Sequence, residues 1–116
     1  MRTHASLLAA ALVAAGTLAA AAPAAAETDG KEIFLAQKCN LCHAVSSAGI
    51  EATTTNEKLK GPDLSTVDLG DGAWLAAYLK QEENHDGKKH KKKFSGSDEE
   101  LEALIAWLKE QAASGG

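Results

Sequence analysis

Apolar residues come in three bursts along this chain, separated by stretches with no period at all. The first, Ile33, Phe34 and Leu35, lies between Asp29 and Cys39. Asp29 with Glu32 three residues on reads as the carboxylate form of a capping box, which predicts a helix that opens at Asp29 and runs into Cys39. In the second burst Trp74, Leu75, Tyr78 and Leu79 fall at i, i+1, i+4 and i+5, one continuous helical face introduced by Gly70, Asp71 and Gly72. In the third, Leu101, Leu104, Ile105 and Leu108 keep the i, i+3, i+4, i+7 rule with Trp107 beside them. Ser97-Asp98-Glu99-Glu100 is a capping box that opens this last helix, and Ser114-Gly115-Gly116 ends it. Between the bursts, Ser46 to Lys60 predicts loop and Gln81 to Gly96 a charged, irregular segment. Gly61-Pro62-Asp63-Leu64 predicts a turn, since proline fixes its own φ and drives Gly61 out of the helical region. No segment alternates with period two, so the expected fold class is all-α.

The N-terminus follows a different rule. Arg2 and His4 precede an alanine-rich apolar stretch from Leu7 to Ala22, and Ala24-Ala25-Ala26 supplies small residues before Glu27. This is the layout of a secretory signal peptide over residues 1–26, cleaved near Ala26, rather than of a stable membrane anchor. Residues 27–116 then make one exported, soluble domain, periplasmic in a bacterium. Leu, Ile, Val and Phe make up only about a fifth of it, thin for an independent core.

Cys39-Asn40-Leu41-Cys42-His43 supplies what that core lacks. Cys-x-x-Cys-His is the spacing used for c-type haem attachment. Two cysteines three apart on a helix share a face and can reach the two vinyl groups on one porphyrin edge. His43 follows directly and is carried to the proximal side of the iron. A zinc site needs a second ligand pair, but these are the only two cysteines, and His4, His85 and His90 lack zinc-finger spacing. A thioredoxin-like dithiol needs a βαβ context, and no strand pattern flanks the motif. The expectation is one covalently attached haem c, which would also serve as the missing core.

With these residues placed, the mature chain resembles a small class I bacterial cytochrome c, of the mitochondrial-type fold. Gly30 and Phe34 resemble that family's small and aromatic pair on the first helix, and Trp107 the aromatic that packs across them from the last. Gly61-Pro62-Asp63-Leu64 is similar to its Gly-Pro-x-Leu turn, which implies that the Pro62 carbonyl accepts from His43 Nδ1 and fixes the ring. Trp74 resembles an aromatic near the haem edge. The family's usual sixth ligand is a methionine before the last helix, yet the only methionine here is Met1. His90 stands four residues before Phe94, with Gly96 beyond, close to where that methionine is expected. The resemblance therefore implies His43 and His90 as iron ligands; His85, or an open sixth position, stays as the alternative. A second imidazole favours the ferric state more than a thioether does, which implies a lower potential than in methionine-ligated relatives.

The charge pattern narrows the partners. The chain carries a formal net charge of −4, yet Lys88, Lys89, Lys91, Lys92 and Lys93 make one local basic run. Such a run is either a solvated face or a docking patch for an acidic redox donor or acceptor. The overall acidity, the export signal and the lack of aromatics among the lysines speak against nucleic acid. The functional expectation is a monomeric, single-electron carrier, not an enzyme. A five-coordinate haem sensor for diatomic ligands and a haem subunit of a larger oxidoreductase are the competing readings.

Overall fold

The computed structural model describes residues 26–115, so the signal-peptide reading of residues 1–26 lies, but for Ala26, outside the described residues. Three helices carry the fold: α1 (Ala26–Ala36), α2 (Gly72–Leu79) and α3 (Asp98–Gly115). Two short 3₁₀ turns, Cys39–Leu41 and Ser46–Ala48, lie between α1 and α2. A two-residue antiparallel pair, β1 (Asn84–His85) and β2 (Lys88–Lys89), lies between α2 and α3. The chain is all-α as the pattern predicts, with this hairpin as its only paired strands among the described residues. No described helix is long and apolar enough to cross a membrane.

Helix α3 opens on the expected capping box. The Ser97 main-chain N–H donates to Glu100 Oε1 at 2.9 Å, and the Glu100 N–H donates back to Ser97 Oγ at 3.1 Å, so two otherwise orphaned donors are satisfied together. Its apolar stripe, Leu101, Leu104, Ile105, Trp107 and Leu108, is buried throughout. Against it lies α1. Phe34 is fully buried with its ring centroid 5.5 Å from that of Trp107, at a tilt of 52°. The helices approach so closely at Gly30 that a Cβ there would lie 2.3 Å from Trp107 Cβ. Ile33 of α1, Leu75 of α2, Val45, Ile50, Leu69 and Phe94 complete the core. Buried Ser65 is satisfied at its edge: it accepts from the Ser47 main chain at 3.0 Å, and the two hydroxyls meet at 2.8 Å. Ser47 Oγ donates onward to Gln111 Oε1 of α3 at 2.8 Å.

Helix α1 differs from its predicted bounds at both ends. It is already formed at Ala26, the first described residue, so Asp29 stands inside the helix rather than capping it. Alanine and glutamate are good helix formers, and no breaker lies upstream to Ala26. It also stops at Ala36, short of Cys39. Lys38 takes left-handed angles (φ 60°, ψ 31°), a conformation that costs a non-glycine residue about 1–2 kcal/mol. The break frees the motif from the register that Phe34 needs against α3.

Helix α2 starts on Asp71, whose carboxylate accepts from the Trp74 N–H at 3.3 Å. It ends in a Schellman arrangement: the Gln81 N–H donates to Tyr78 O (3.0 Å) and the Glu82 N–H to Ala77 O (2.8 Å), with Gln81 left-handed at φ 64°. The following segment is not wholly irregular. Asp86 and Gly87 both have positive φ (52° and 77°), as a type I′ turn requires, and pair Asn84 with Lys89 and His85 with Lys88. Asp-Gly is a hairpin signal, but its flanks lack the alternation that makes it legible.

Gly30→Ala is expected to destabilise the protein by about 1–3 kcal/mol, because Trp107 must shift to admit the methyl group. Urea unfolding followed by far-UV circular dichroism checks this through a lower midpoint at unchanged slope.

Candidate functional site

The motif lies on the Cys39–Leu41 3₁₀ turn rather than on α1. The cysteines still share a side, because side chains three apart on a 3₁₀ turn eclipse one another. The turn is held by the Cys42 and His43 N–H groups, both on Cys39 O at 3.2 and 3.0 Å. Both thiols are unbridged and partly buried, and burial pushes the Cys39 thiol up to about 11, against an opposing pull from Lys92.

His43 is fixed as the turn motif implies. Its Nδ1 lies 2.8 Å from Pro62 O, and since a carbonyl can only accept, Nδ1 carries the proton and Nε2 is left with its lone pair. The strand of loop that brings Pro62 here is itself pinned: the Gly61 N–H donates to Cys42 O at 2.8 Å and the Leu64 N–H to Ala44 O at 2.9 Å. Asp63 Oδ1 accepts from the main-chain N–H groups of Ser46 and Ser65, and hydrogen bonds from these two serines hold its carboxyl below the usual range. Gly61 is a steric requirement. A Cβ there would fall 2.2 Å from His43 Cε1 and 2.6 Å from Nδ1.

Opposite stands His90. The His43 and His90 rings are nearly parallel, 7° apart, with centroids separated by 6.1 Å. That separation lies toward the wide end of the roughly 4.5–7 Å found between the centroids of paired aromatic rings. Two metal–imidazole bonds of about 2 Å each, together with the ring radii, span about 6 Å. His90 Nδ1 also meets a carbonyl, Lys92 O at 2.6 Å, so its Nε2 is likewise left unprotonated in the neutral ring. Burial holds His43 below the ordinary imidazole range, with the Pro62 bond opposing and His90 adding to the effect. In its neutral form each ring thus offers Nε2 as a ligand nitrogen.

Helix α2 aims His90. Left-handed Gln81 turns its amide onto His90 O, with Nε2 donating at 2.8 Å. Tyr78 meets the His90 ring edge-on at 5.2 Å and 69°. The Phe94 N–H donates to Leu79 O at 2.8 Å, and its ring is buried. Sequence reasoning took Tyr78 as one more apolar position and missed Gln81; no local signal marks a glutamine whose left-handed backbone turns it onto a site.

Of the other residues singled out, the structure joins Pro62 to His43 but keeps Trp74 apart from both paired histidines. Trp74 stacks on Tyr78 at 5.0 Å and 8°, and His85 sits edge-on to both rings. His85 is well exposed on the hairpin, 3.4 Å from the Asp86 carboxylate, and does not face His43. Among the described residues no three His, Cys, Asp or Glu side chains converge as a site for a bare metal ion. Two opposed imidazoles beside two thiols instead suit a metal whose remaining donors arrive with a macrocycle.

The family model for cytochrome c matches residues 27–112, and the chain belongs to that family. No curated protein and no solved structure matches it. Family membership makes haem c the implied cofactor and electron carriage the general function, and the thiol pair, the paired imidazoles and the cleared space at Gly61 all fit that group.

Gly61→Ala is expected to push the His43 ring off Pro62 O. The holoprotein should lose about 1–3 kcal/mol of stability, read as a lower thermal midpoint, with an altered absorption spectrum. An unaltered spectrum and midpoint would show that the ring does not lie against this backbone.

Proposed function

We propose that this protein is a periplasmic, monohaem, single-electron carrier whose haem would be held through Cys39 and Cys42, with His43 and His90 as the iron ligands. The observation that carries the reading is the parallel His43–His90 pair, 6.1 Å apart, with each Nδ1 engaged by a carbonyl. When bound, the haem supplies a one-electron ferric–ferrous couple. The chain's own part is to keep both Nε2 lone pairs aimed and both rings immobile, so that little need reorganise when charge changes. The Nδ1–carbonyl bonds raise the donor strength of both rings and favour the ferric state. Membership of the cytochrome c family supports a carrier rather than an enzyme. The signal-peptide pattern of residues 1–26 supports export, where thiols are presented for attachment.

The test is the absorption spectrum of purified holoprotein in both oxidation states. A low-spin spectrum is expected, and His90→Ala should convert it to a high-spin form that binds exogenous ligands while covalent haem remains. His85→Ala should leave it unchanged, and His90→Met should raise the midpoint potential if sulfur reaches the iron. Replacing both Cys39 and Cys42 by Ala should remove haem staining from a denaturing gel. A high-spin spectrum in the unaltered protein would favour a ligand-sensing role instead.

The partner is proposed to be an acidic redox protein that meets the basic run beside the site. Lys88 and Lys89 are exposed on β2, while the chain as a whole is acidic. Electron exchange with an acidic partner should slow steeply as salt rises, because screening shortens the reach of these charges to about 8–10 Å near physiological ionic strength. Lys88→Gln combined with Lys89→Gln should flatten that dependence in stopped-flow measurements; rates indifferent to both would mark the lysines as merely solvated.

A further inference from the structure

The lysines of the basic run do not share one environment. Lys88 and Lys89 pair with the β1 strand and stand in solvent. Lys91 and Lys92 each end on a main-chain carbonyl across the site: Lys91 Nζ donates to Lys58 O, and Lys92 Nζ donates to Gln37 O. These carbonyls belong to separate walls. Gln37 lies just beyond α1, two residues before Cys39, and Lys58 lies in the loop that leads to Gly61 and Pro62. Gln37 grips the same segment a second time, accepting with Oε1 from Ser95 N at 3.2 Å and Ser95 Oγ at 3.1 Å.

Lys92 is engaged at both ends. Its carbonyl accepts from His90 Nδ1, and its ammonium holds Gln37. For His90 to leave its place opposite His43, the segment that bears it must swing outward. The bond from His90 Nδ1 to Lys92 O joins residues two apart and travels with the segment, so it does not resist the swing. What resists is the Gln81 amide on His90 O, the Phe94 N–H on Leu79 O, the Ser95 bonds to Gln37, and the two lysines. A charged donor on a carbonyl is stronger than a neutral one. Because both lysines are exposed, water competes for them. Their effect therefore falls on local opening of the segment more than on global unfolding.

We infer that Lys92, assisted by Lys91, is a positioning residue that clasps the His90 segment to the wall carrying Cys39 and so sets how readily His90 withdraws from its place opposite His43. The inference rests on the bis-imidazole reading above. It also divides the basic run: the hairpin lysines are free to meet a partner, while Lys91 and Lys92 hold the molecule to itself.

The experiment is cyanide binding to ferric holoprotein, followed by absorbance with cyanide in excess. The saturating rate then reports departure of His90. Lys92→Gln is expected to raise that rate about tenfold, the scale of losing one charge-assisted hydrogen bond. Lys91→Gln should raise it less, Lys92→Arg should stay near the parent because a cationic donor remains, and Lys109→Gln, an equal loss of charge on α3, should change nothing. The resting spectrum of each variant should remain low-spin. A parent-like rate in both Lys92→Gln and Lys91→Gln overturns the clasp while leaving the ligation intact, and so does an equal rise in Lys109→Gln, which would be a net-charge effect. A parent protein that is already high-spin and binds cyanide without saturation overturns the bis-imidazole reading, and the clasp with it.

Discussion

Two imidazoles held parallel across one narrow gap are the constraint that organises this small fold. Neither His43 nor His90 is oriented by its own helix, since each stands in irregular chain. Each ring is instead fixed by a carbonyl on its Nδ1, from Pro62 on one side and Lys92 on the other. In its neutral form a side chain so held has one tautomer and one free nitrogen. The demand then passes outward. Pro62 must be pinned by the Gly61 and Leu64 main-chain bonds, and the His90 segment by Gln81, Phe94 and the lysines.

The helices frame this gap without entering it. Both helices that lead to the site end in a residue with left-handed backbone, Lys38 after α1 and Gln81 after α2. Each spends conformational energy to turn the chain sharply from core to site. The turn at Lys38 lets Phe34 serve α3 while Cys39 and His43 face elsewhere. The turn at Gln81 brings its amide to His90. Packing and chemistry are thereby served by neighbouring residues that need not share a register.

Much of this was legible in the sequence, and for identifiable reasons. The α3 stripe and its capping box obey local periodicity and local hydrogen bonding, which a sequence displays directly. The Cys39–His43 spacing and the Gly61–Pro62 turn are short motifs with fixed geometry, and the imidazole does meet the Pro62 carbonyl. His90 stood out because methionine is missing where one is expected, and it does face His43. The break at Lys38 stayed hidden because it resolves a conflict between two distant contacts, and lysine carries no local preference for left-handed angles. The hairpin at Asp86–Gly87 was masked by its charged flanks. Gln37, Gln81 and Lys92 act through main-chain partners 9 to 58 residues away, as with Gln81 and His90 or Gln37 and Ser95. Pattern reading along the chain has no access to such pairs.

The packing of Gly30 and Phe34 against Trp107 has a kinetic consequence. It joins the first and last helices and closes a loop that contains every residue of the site, so it is a contact of long sequence separation and costly in chain entropy. A chain made from its N-terminus exposes Cys39, Cys42 and His43 well before α3 exists to cover Phe34. During that interval the motif lies on an open segment. Arrival of the last helix then covers Phe34 and closes the loop that holds the site.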